Sequence, residues 1–223
     1  MKNLKFKAKS IGLIILVVIL TVALFTGCSS QPTSSTKAVQ NTAVDSNVDQ
    51  DNDGITDAIE KTYGTNPYTA DTDGDGVNDK ADQTPVVSDK LIEESSTVPL
   101  PVSIKDVRVE DNATADHLEI KLQNTSNQNL DHFDIYFTIT DKKTNATESY
   151  YQVLSGLTLA ANETKIIHFD NEVKTQDHFY GNMNGLYGTS ANGLTFDINL
   201  HSEGYQVLQF SVDKSEGTAE VAD

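Results

Sequence analysis

Carboxylate side chains recur at fixed intervals in two short stretches of the chain. Asp49, Asp51 and Asp53 alternate before a glycine, and Glu60 stands at the twelfth position counted from Asp49. This is the D-x-D-x-D-G-x5-E spacing of a loop that wraps a calcium ion, because alternate side chains of a tight loop point inward. The glycine supplies the backbone angles of the sharp turn. The predicted ligands of the first loop are Asp49, Asp51, Asp53, the carbonyl of Ile55, Asp57 (directly or through water) and Glu60.

The same spacing returns further along the chain with an aspartate in the twelfth place. Two copies in register make chance a poor explanation. Oxygen donors without histidine or cysteine nearby suit calcium better than zinc or copper. The sequence therefore predicts about two Ca²⁺ ions. The ligands predicted for the second loop are Asp71, Asp73, Asp75, the carbonyl of Val77, Asp79 and Asp82.

The stretch that carries both loops is strongly acidic and has few large apolar residues, so it cannot build a core of its own. Bound calcium would offset the repulsion between carboxylates, and the free energy of metal binding would become folding free energy. Removal of the metal is then expected to unfold this stretch. The alternative is a solvated acidic spacer without a metal site, since runs of like charge usually have no ligand.

The stretch DNDGITDAIEKTYGTNPYTADTDGDGVNDKADQTP resembles the calcium-binding repeats of the thrombospondin type-3 family in bacterial surface proteins. The resemblance covers residues 49–85, which we call the repeat segment, and it does not extend to the cysteines of the animal repeats. It implies that calcium alone supplies the cohesion here. Only residues 57–63 have room for a short helix, ended by Gly64. A dockerin-like pair, the narrower alternative, needs a helix after each loop.

The first residues have the pattern of an export signal, with lysines before an uncharged apolar run at residues 11–25. The run ends in LFTGCSS, which resembles the lipobox of bacterial lipoproteins. That resemblance implies a signal peptide at residues 1–27, acylation of Cys28 and an anchor on the outer face of a bacterial cell membrane. The polar residues 28–48 then form a flexible tether. The alternatives are an uncleaved membrane anchor and an ordinary signal peptide.

Beyond a linker at residues 86–99, apolar and polar residues alternate in runs separated by turn-forming residues. Such alternation indicates strands with one wet face. The pattern predicts an immunoglobulin-like β-sandwich of about seven strands over residues 100–213, followed by a disordered acidic tail at 214–223. In the third run, the side chains of Phe133, Ile135, Phe137 and Ile139 are expected inside, and those of Asp134, Tyr136 and Thr138 outside. The runs are residues 102–110, 117–124, 132–140, 149–154, 164–169, 194–200 and 205–212.

The long interval 174–193 between two of these runs is rich in aromatic, glycine and asparagine residues. It predicts either a lid that packs on the sandwich or a ligand-binding loop. The candidate ligand-binding residues are His178, Phe179, Tyr180 and Tyr187.

A formal net charge of −17 argues against a nucleic-acid partner, because nothing neutralises the phosphates. The sequence carries none of the common nucleophile, zinc-protease, phosphate-loop or dinucleotide motifs. We therefore expect a non-enzymatic surface lipoprotein. Its calcium-stabilised segment would space the sandwich from the membrane, and the sandwich would bind a protein, polysaccharide or envelope partner. The alternative is a solute-binding or hydrolytic lipoprotein with its site in the loop 174–193 and purely structural calcium.

Overall fold

The computed structural model describes residues 47–88, 92–109, 118–170, 173, 176–181 and 185–216. The predicted signal peptide, Cys28, most of the tether and most of the acidic tail lie outside these residues. The described residues all fall within one compact unit of the chain. A search of this part for a helix of the length and hydropathy needed to cross a membrane found none.

Strands dominate the regular structure of the described residues. The strands are β1 (Val102–Val109), β2 (Leu118–Asn124), β3 (Phe133–Asp141), β4 (Thr147–Val153), β5 (Thr164–Asp170), β6 (His178–Tyr180), β7 (Leu194–Ser202) and β8 (Leu208–Lys214). The helices are α1 (Asp57–Tyr63) and α2 (Leu186–Thr189). The predicted helix over residues 57–63 is confirmed. It ends at Gly64, whose φ of 83° lies in the left-handed region that favours glycine.

Two four-stranded sheets, ordered β1-β2-β5-β6 and β4-β3-β7-β8, make up the sandwich. Neighbouring strands are antiparallel except β5 and β6, which are parallel. Each predicted run overlaps a strand, and β6 is the additional one, within the loop 174–193. A mainly β fold, with a sandwich preceded by a segment of little regular structure, is thus confirmed.

Apolar side chains from both sheets fill the space between them, as the alternation predicts. In β3 the side chains of Phe133, Ile135, Phe137 and Ile139 are buried, and those of Leu118, Ile120 and Leu122 in β2 face them. The ring of Phe137 contacts those of Tyr150 and Phe169, with centroids 5.3 and 5.9 Å apart. Burial of these side chains stabilises the sandwich.

The outer face of the sheet β4-β3-β7-β8 differs from the expected wet surface. Tyr136 was predicted to face water, but only 1% of it is exposed, so the prediction was wrong for this residue. Its hydroxyl donates to the carbonyl of Ser88 at 2.9 Å, and the Ser149 hydroxyl donates to the same carbonyl at 2.9 Å. The chain that follows the repeat segment crosses this face and covers it.

The predicted linker 86–99 is held to the same face further along. Glu94 Oε2 lies 3.2 Å from Nε2 of the buried His201, and His201 Nδ1 lies 2.7 Å from Asp134 Oδ1. The Tyr151 hydroxyl donates to the other oxygen of Asp134 at 3.0 Å. Linker, β3, β4 and β7 are therefore joined by one polar network.

Candidate metal centres in the repeat segment

The first aspartate-rich loop folds around its own carboxylates. Carboxylate oxygens of Asp49, Asp51 and Asp53 all lie within 4.8 Å of one another. One oxygen of each accepts a backbone N–H from within the loop: Gly54 to Asp49 at 3.1 Å, Asp53 to Asp51 at 3.0 Å and Ile55 to Asp53 at 2.5 Å. These hydrogen bonds hold one oxygen of each carboxylate in place, so the loop backbone also sets the position of the second oxygen.

The second loop repeats this arrangement at the matching positions. Oxygens of Asp71, Asp73 and Asp75 lie within 4.8 Å of one another. The N–H groups of Gly76, Asp75 and Val77 donate to them at 2.8, 3.2 and 2.7 Å, respectively. The fourth and sixth residues of both loops have positive φ: 61° and 92° at Asn52 and Gly54, 71° and 93° at Gly74 and Gly76. Glycine and asparagine adopt such angles more readily than most other residues, so the residue types at these positions favour the observed loop conformation.

A set of buried carboxylate oxygens has no hydrogen-bond partner within the described part of the chain. The four from the first loop and helix α1 are Asp49 Oδ1, Asp51 Oδ2, Asp53 Oδ2 and Glu60 Oε2. The three from the second loop are Asp71 Oδ1, Asp73 Oδ2 and Asp82 Oδ2. A buried anionic oxygen without a partner is costly, whereas a divalent cation takes oxygens of this kind as ligands. Six of the seven oxygens belong to the first, third and twelfth positions of the two loops, and the seventh, Asp53 Oδ2, belongs to the fifth position of the first loop. These donor sets fit a hard cation such as Ca²⁺.

Helix α1 places Glu60 against the first loop with no exposed surface. Burial, followed by the charges of Asp51 and Asp53, raises the pKa of Glu60 to about 8. Burial likewise raises the pKa of Asp73 to about 6 in the second loop. Without a cation, each centre therefore disfavours the fully ionised form of its own donors.

The ninth-position aspartates have a different environment from the other predicted ligands. Both oxygens of Asp57 accept from Gln50, from its N–H at 3.0 Å and its Nε2 at 2.8 Å. Both oxygens of Asp79 accept from Thr72, from its N–H at 2.8 Å and its hydroxyl at 2.7 Å. Their carboxylates are thus satisfied by the protein itself. The predictions that Asp57, Asp79 and the carbonyls of Ile55 and Val77 bind the metal stay predictions.

Asp79 also connects the two loops. Asp79 belongs to the second loop, and burial is the main reason why its pKa is raised to about 6. The charges of Asp53 and Asp51 in the first loop also contribute to this rise. Lys80 Nζ donates to the carbonyl of Gly54 at 2.8 Å and offsets part of this charge. The two centres are therefore neighbours that affect each other's electrostatics.

Thr72 has a role that its position in the loop did not reveal. Its hydroxyl accepts the N–H of the buried Asn66 at 2.8 Å, and its carbonyl accepts the N–H of Tyr151 in β4 at 2.7 Å. A second bond of this kind joins the Ser149 N–H to the carbonyl of Val86 at 2.8 Å. The repeat segment, through Thr72, and the first linker residue, Val86, thus lie along the free edge of β4. No single-sequence signal marks these partners, because they are far apart in the chain.

Gly74 allows a close approach between the repeat segment and the sandwich. A Cβ atom at this position would lie 2.7 Å from Tyr151 Cβ. Nearby, the ring of Tyr68 contacts that of Tyr180, with centroids 5.7 Å apart. The second loop is therefore packed on β4 rather than separated from it.

The residues singled out in the loop 174–193 mostly pack inside. Phe179, Tyr180 and Tyr187 are buried, and Phe179 and Tyr187 belong to the apolar core. His178 is half-buried, with its ring stacked on that of His168 at 4.6 Å. Packing of three of the four aromatic side chains favours the lid over the binding loop for this interval.

Residues 83–88, which follow the second loop, form turns and no helix. This observation counts against the dockerin-like alternative. The family model of the bacterial TSP3 repeat matches the chain at residues 49–70 and 71–81, the two loops described above. A comparison with curated proteins found no match to the chain. The similarity to a known family thus lies in the repeat segment, and it supports the predicted calcium-binding repeats.

Proposed function

We propose that the protein is a calcium-binding, lipid-anchored protein of the bacterial cell surface, without enzymatic activity. In it, two Ca²⁺ ions order the repeat segment against a β-sandwich that serves as a binding or adhesion module. The observation that carries the calcium proposal is the set of seven buried carboxylate oxygens without hydrogen-bond partners in the described residues. Six of them occupy corresponding positions in two loops that match a calcium-binding repeat.

The metal would have a structural role in this protein. Asp49, Asp51, Asp53 and Glu60 would hold one ion, and Asp71, Asp73, Asp75 and Asp82 the other. The positive charge of the ions would offset the cost of burial and the carboxylate repulsion, which together raise the pKa of Glu60 and Asp73. The backbone of the segment would then be fixed in the conformation that places Thr72 and Val86 on β4.

Isothermal titration calorimetry of the calcium-depleted full chain in detergent tests this proposal. We expect saturable binding of about two Ca²⁺ ions per chain. Asp51→Asn and Asp73→Asn remove one anionic donor from each loop, and each should weaken one of the two binding events. Asp106→Asn is the matched control, because Asp106 is exposed on β1, away from both loops. Absence of saturable heat at millimolar calcium contradicts the proposal.

The lipid anchor rests on the sequence LFTGCSS and the apolar run before it. Acylation of Cys28 would give the two or more chains that stable membrane attachment requires. Metabolic labelling with a radioactive fatty acid in a bacterial host tests the anchor. We expect label in the wild-type chain and none in Cys28→Ser, which should also leave the membrane fraction. Equal labelling of both chains would refute acylation at Cys28.

A further inference from the structure

The same pair of hydrogen bonds joins the second and ninth residues of both loops. In the first loop, the N–H and Nε2 groups of Gln50 donate to the two oxygens of Asp57 at 3.0 and 2.8 Å. In the second, the N–H and hydroxyl groups of Thr72 donate to the two oxygens of Asp79 at 2.8 and 2.7 Å. Two chemically different side chains thus make one arrangement at equivalent positions. We call each of these residue pairs, Gln50 with Asp57 and Thr72 with Asp79, a clamp.

The carboxylates of the clamps differ from those assigned to the metal. Asp73 and Glu60 are 1% and 0% exposed, and each has a buried oxygen without a hydrogen-bond partner among the described residues. Such oxygens are suited to a divalent cation. In Asp57 and Asp79, by contrast, the clamp donors occupy both oxygens. Coordination by either residue would require an oxygen that already accepts a hydrogen bond.

The second residue of each loop lies between the first two predicted ligands. Thr72 stands between Asp71 and Asp73, and Gln50 has the corresponding place in the first loop. Because a clamp holds both the main chain and the side chain of this residue, it also sets the path of the chain from which the two ligands extend. Preorganised ligands bind more tightly, because less conformational freedom is lost on binding.

The clamp of the second loop also reaches the sandwich. The Thr72 carbonyl accepts the N–H of Tyr151 in β4 at 2.7 Å, and the Thr72 hydroxyl accepts the N–H of Asn66 at 2.8 Å. Thr72 has no exposed surface, and Asp79 is only 4% exposed, so water does not compete for these bonds. One residue of the loop is therefore held by Asp79 through its N–H and by β4 through its carbonyl.

We propose that Asp57 and Asp79 are positioning residues that hold the loops without coordinating the metal, and that Asp79 also couples the second centre to β4 through Thr72. This inference rests on the proposed function, because the two residues would act on a bound cation. The ninth position then has a role other than the direct coordination that its spacing predicts. Gln50 is exposed, so water competes for the first clamp, and loss of Asp79 should have the larger effect.

Calorimetry of the full chain in detergent, with calcium as the titrant, tests the positioning role. Asp79→Ala removes both acceptors of the second clamp, and we expect one of the two binding events to weaken about tenfold or more. Asp57→Ala should weaken the other event by a smaller factor. Asp106→Ala, at an exposed position in β1, is the control and should bind as the wild type does.

A pair of substitutions at Thr72 isolates one hydrogen bond of the second clamp. Thr72→Val keeps the shape of the side chain and both main-chain groups but removes the hydroxyl that donates to Asp79. We expect it to weaken one binding event about tenfold. Thr72→Ser retains a hydroxyl, so it should restore most of the affinity. Thermal unfolding in calcium confirms that each variant is folded.

Luminescence of bound Eu³⁺ distinguishes positioning from coordination. Eu³⁺ is a hard cation that takes oxygen ligands, as Ca²⁺ does. Its lifetimes in H₂O and D₂O report how many water molecules the ion coordinates. Asp73→Ala removes a proposed ligand, so water should replace it and a shorter lifetime should appear. In Asp79→Ala and Asp57→Ala, we expect the lifetimes at saturating Eu³⁺ to stay at the wild-type values.

Amide hydrogen exchange in saturating calcium tests the coupling to β4. Exchange of the Tyr151 amide should be about tenfold faster or more in Asp79→Ala than in the wild type, because its acceptor is no longer held. It should be unchanged in Asp57→Ala. The Ile198 amide lies in β7, an inner strand of the same sheet, and should be unaffected in both variants.

The outcomes separate this inference from the proposed function. A chain that binds neither Ca²⁺ nor Eu³⁺ overturns both. Calcium binding by the wild type with equal affinity in a folded Asp79→Ala overturns the positioning role alone, as does a shortened Eu³⁺ lifetime in that variant. If Asp79→Ala does not fold, Thr72→Val decides, because wild-type affinity in this variant contradicts the positioning role. Unchanged exchange at Tyr151 in a folded Asp79→Ala overturns the coupling.

Discussion

The two parts of this protein reach a fixed structure by opposite means. The sandwich is held by apolar side chains such as Phe137 and Ile135, which are buried between two sheets. The repeat segment buries carboxylates instead, and several of their oxygens have no hydrogen-bond partner among the described residues. The first kind of core stabilises by excluding water. We expect the second to be stable only when a cation balances its buried charge. One chain would thus combine a module whose folding is driven by apolar burial with a module whose folding depends on bound calcium.

Truncation within the apolar core should have the largest effect and should not depend on calcium. Phe137→Ala removes a buried ring that contacts Tyr150 and Phe169, and we expect it to lower the free energy of unfolding by about 3–5 kcal/mol. Ile166→Ala, at a 36% exposed position in β5, should cost far less. Urea unfolding with and without calcium measures both. A loss for Phe137→Ala that disappears after calcium removal would contradict the division into two kinds of core.

As the pH rises, the stability of the calcium-free repeat segment should fall, whereas its affinity for calcium should rise. In the metal-free fold, the pKa of Glu60 is raised from 4.5 to about 8, and those of Asp73 and Asp79 from 3.8 to about 6. Between the unfolded and folded pKa values the folded state binds more protons, so stability without calcium should fall as the pH rises. Calcium requires the ionised carboxylates, so its affinity should rise with pH.

Calorimetry at several pH values measures this effect. At the first loop, release of the Glu60 proton, with its pKa of about 8, would increase calcium affinity roughly 50-fold between pH 6 and 8. At the second loop the pKa of Asp73 is about 6, so the affinity should rise only about twofold over the same range. Thermal unfolding of the calcium-free chain over the same range should show the opposite trend. An affinity that is constant across this range would mean that the buried carboxylates are already ionised without the metal.

The contact between the two parts can be tested with a matched pair of glycine variants. Gly74 and Gly204 both have positive φ, 71° and 83°, so alanine adds a similar backbone strain of about 1–2 kcal/mol at each. Only at Gly74 would the new Cβ meet Tyr151, whereas nothing lies within 4 Å of a Cβ at Gly204. In calcium, Gly74→Ala should therefore cost about 1 kcal/mol more than Gly204→Ala in thermal or urea unfolding. Equal costs would show that the second loop does not pack on β4 in solution.

The sequence predicted what depends on local spacing. The alternation of Phe133, Ile135 and Phe137 gave the correct buried face, because strand periodicity is a local property. The positions of Asp49, Asp51 and Gly54 predicted the loop, because carboxylate spacing and turn angles are local too. The end of α1 at Gly64 followed from the same kind of rule.

What the sequence did not predict depends on contacts between distant parts of the chain. Tyr136 is buried because the chain near Ser88 crosses the outer face of its strand, and alternation alone cannot report such a cover. Thr72 pairs at once with Asp79 and with β4, and neither partner is fixed by its position in the loop. Gln152 Oε1 in β4 is buried without a hydrogen-bond partner among the described residues, and strand alternation does not predict such burial.

The hydrogen bonds from Tyr151 to the repeat segment and from Ser149 to Val86, just after it, have a consequence for the behaviour of the protein at high local density. An uncovered terminal strand of a sheet is a template on which a strand of another molecule can add, and this is a common route to aggregation. While Val86 and Thr72 occupy these two amides, a neighbouring chain cannot use them. The same segment that carries the acidic loops thus shields β4 against intermolecular strand addition.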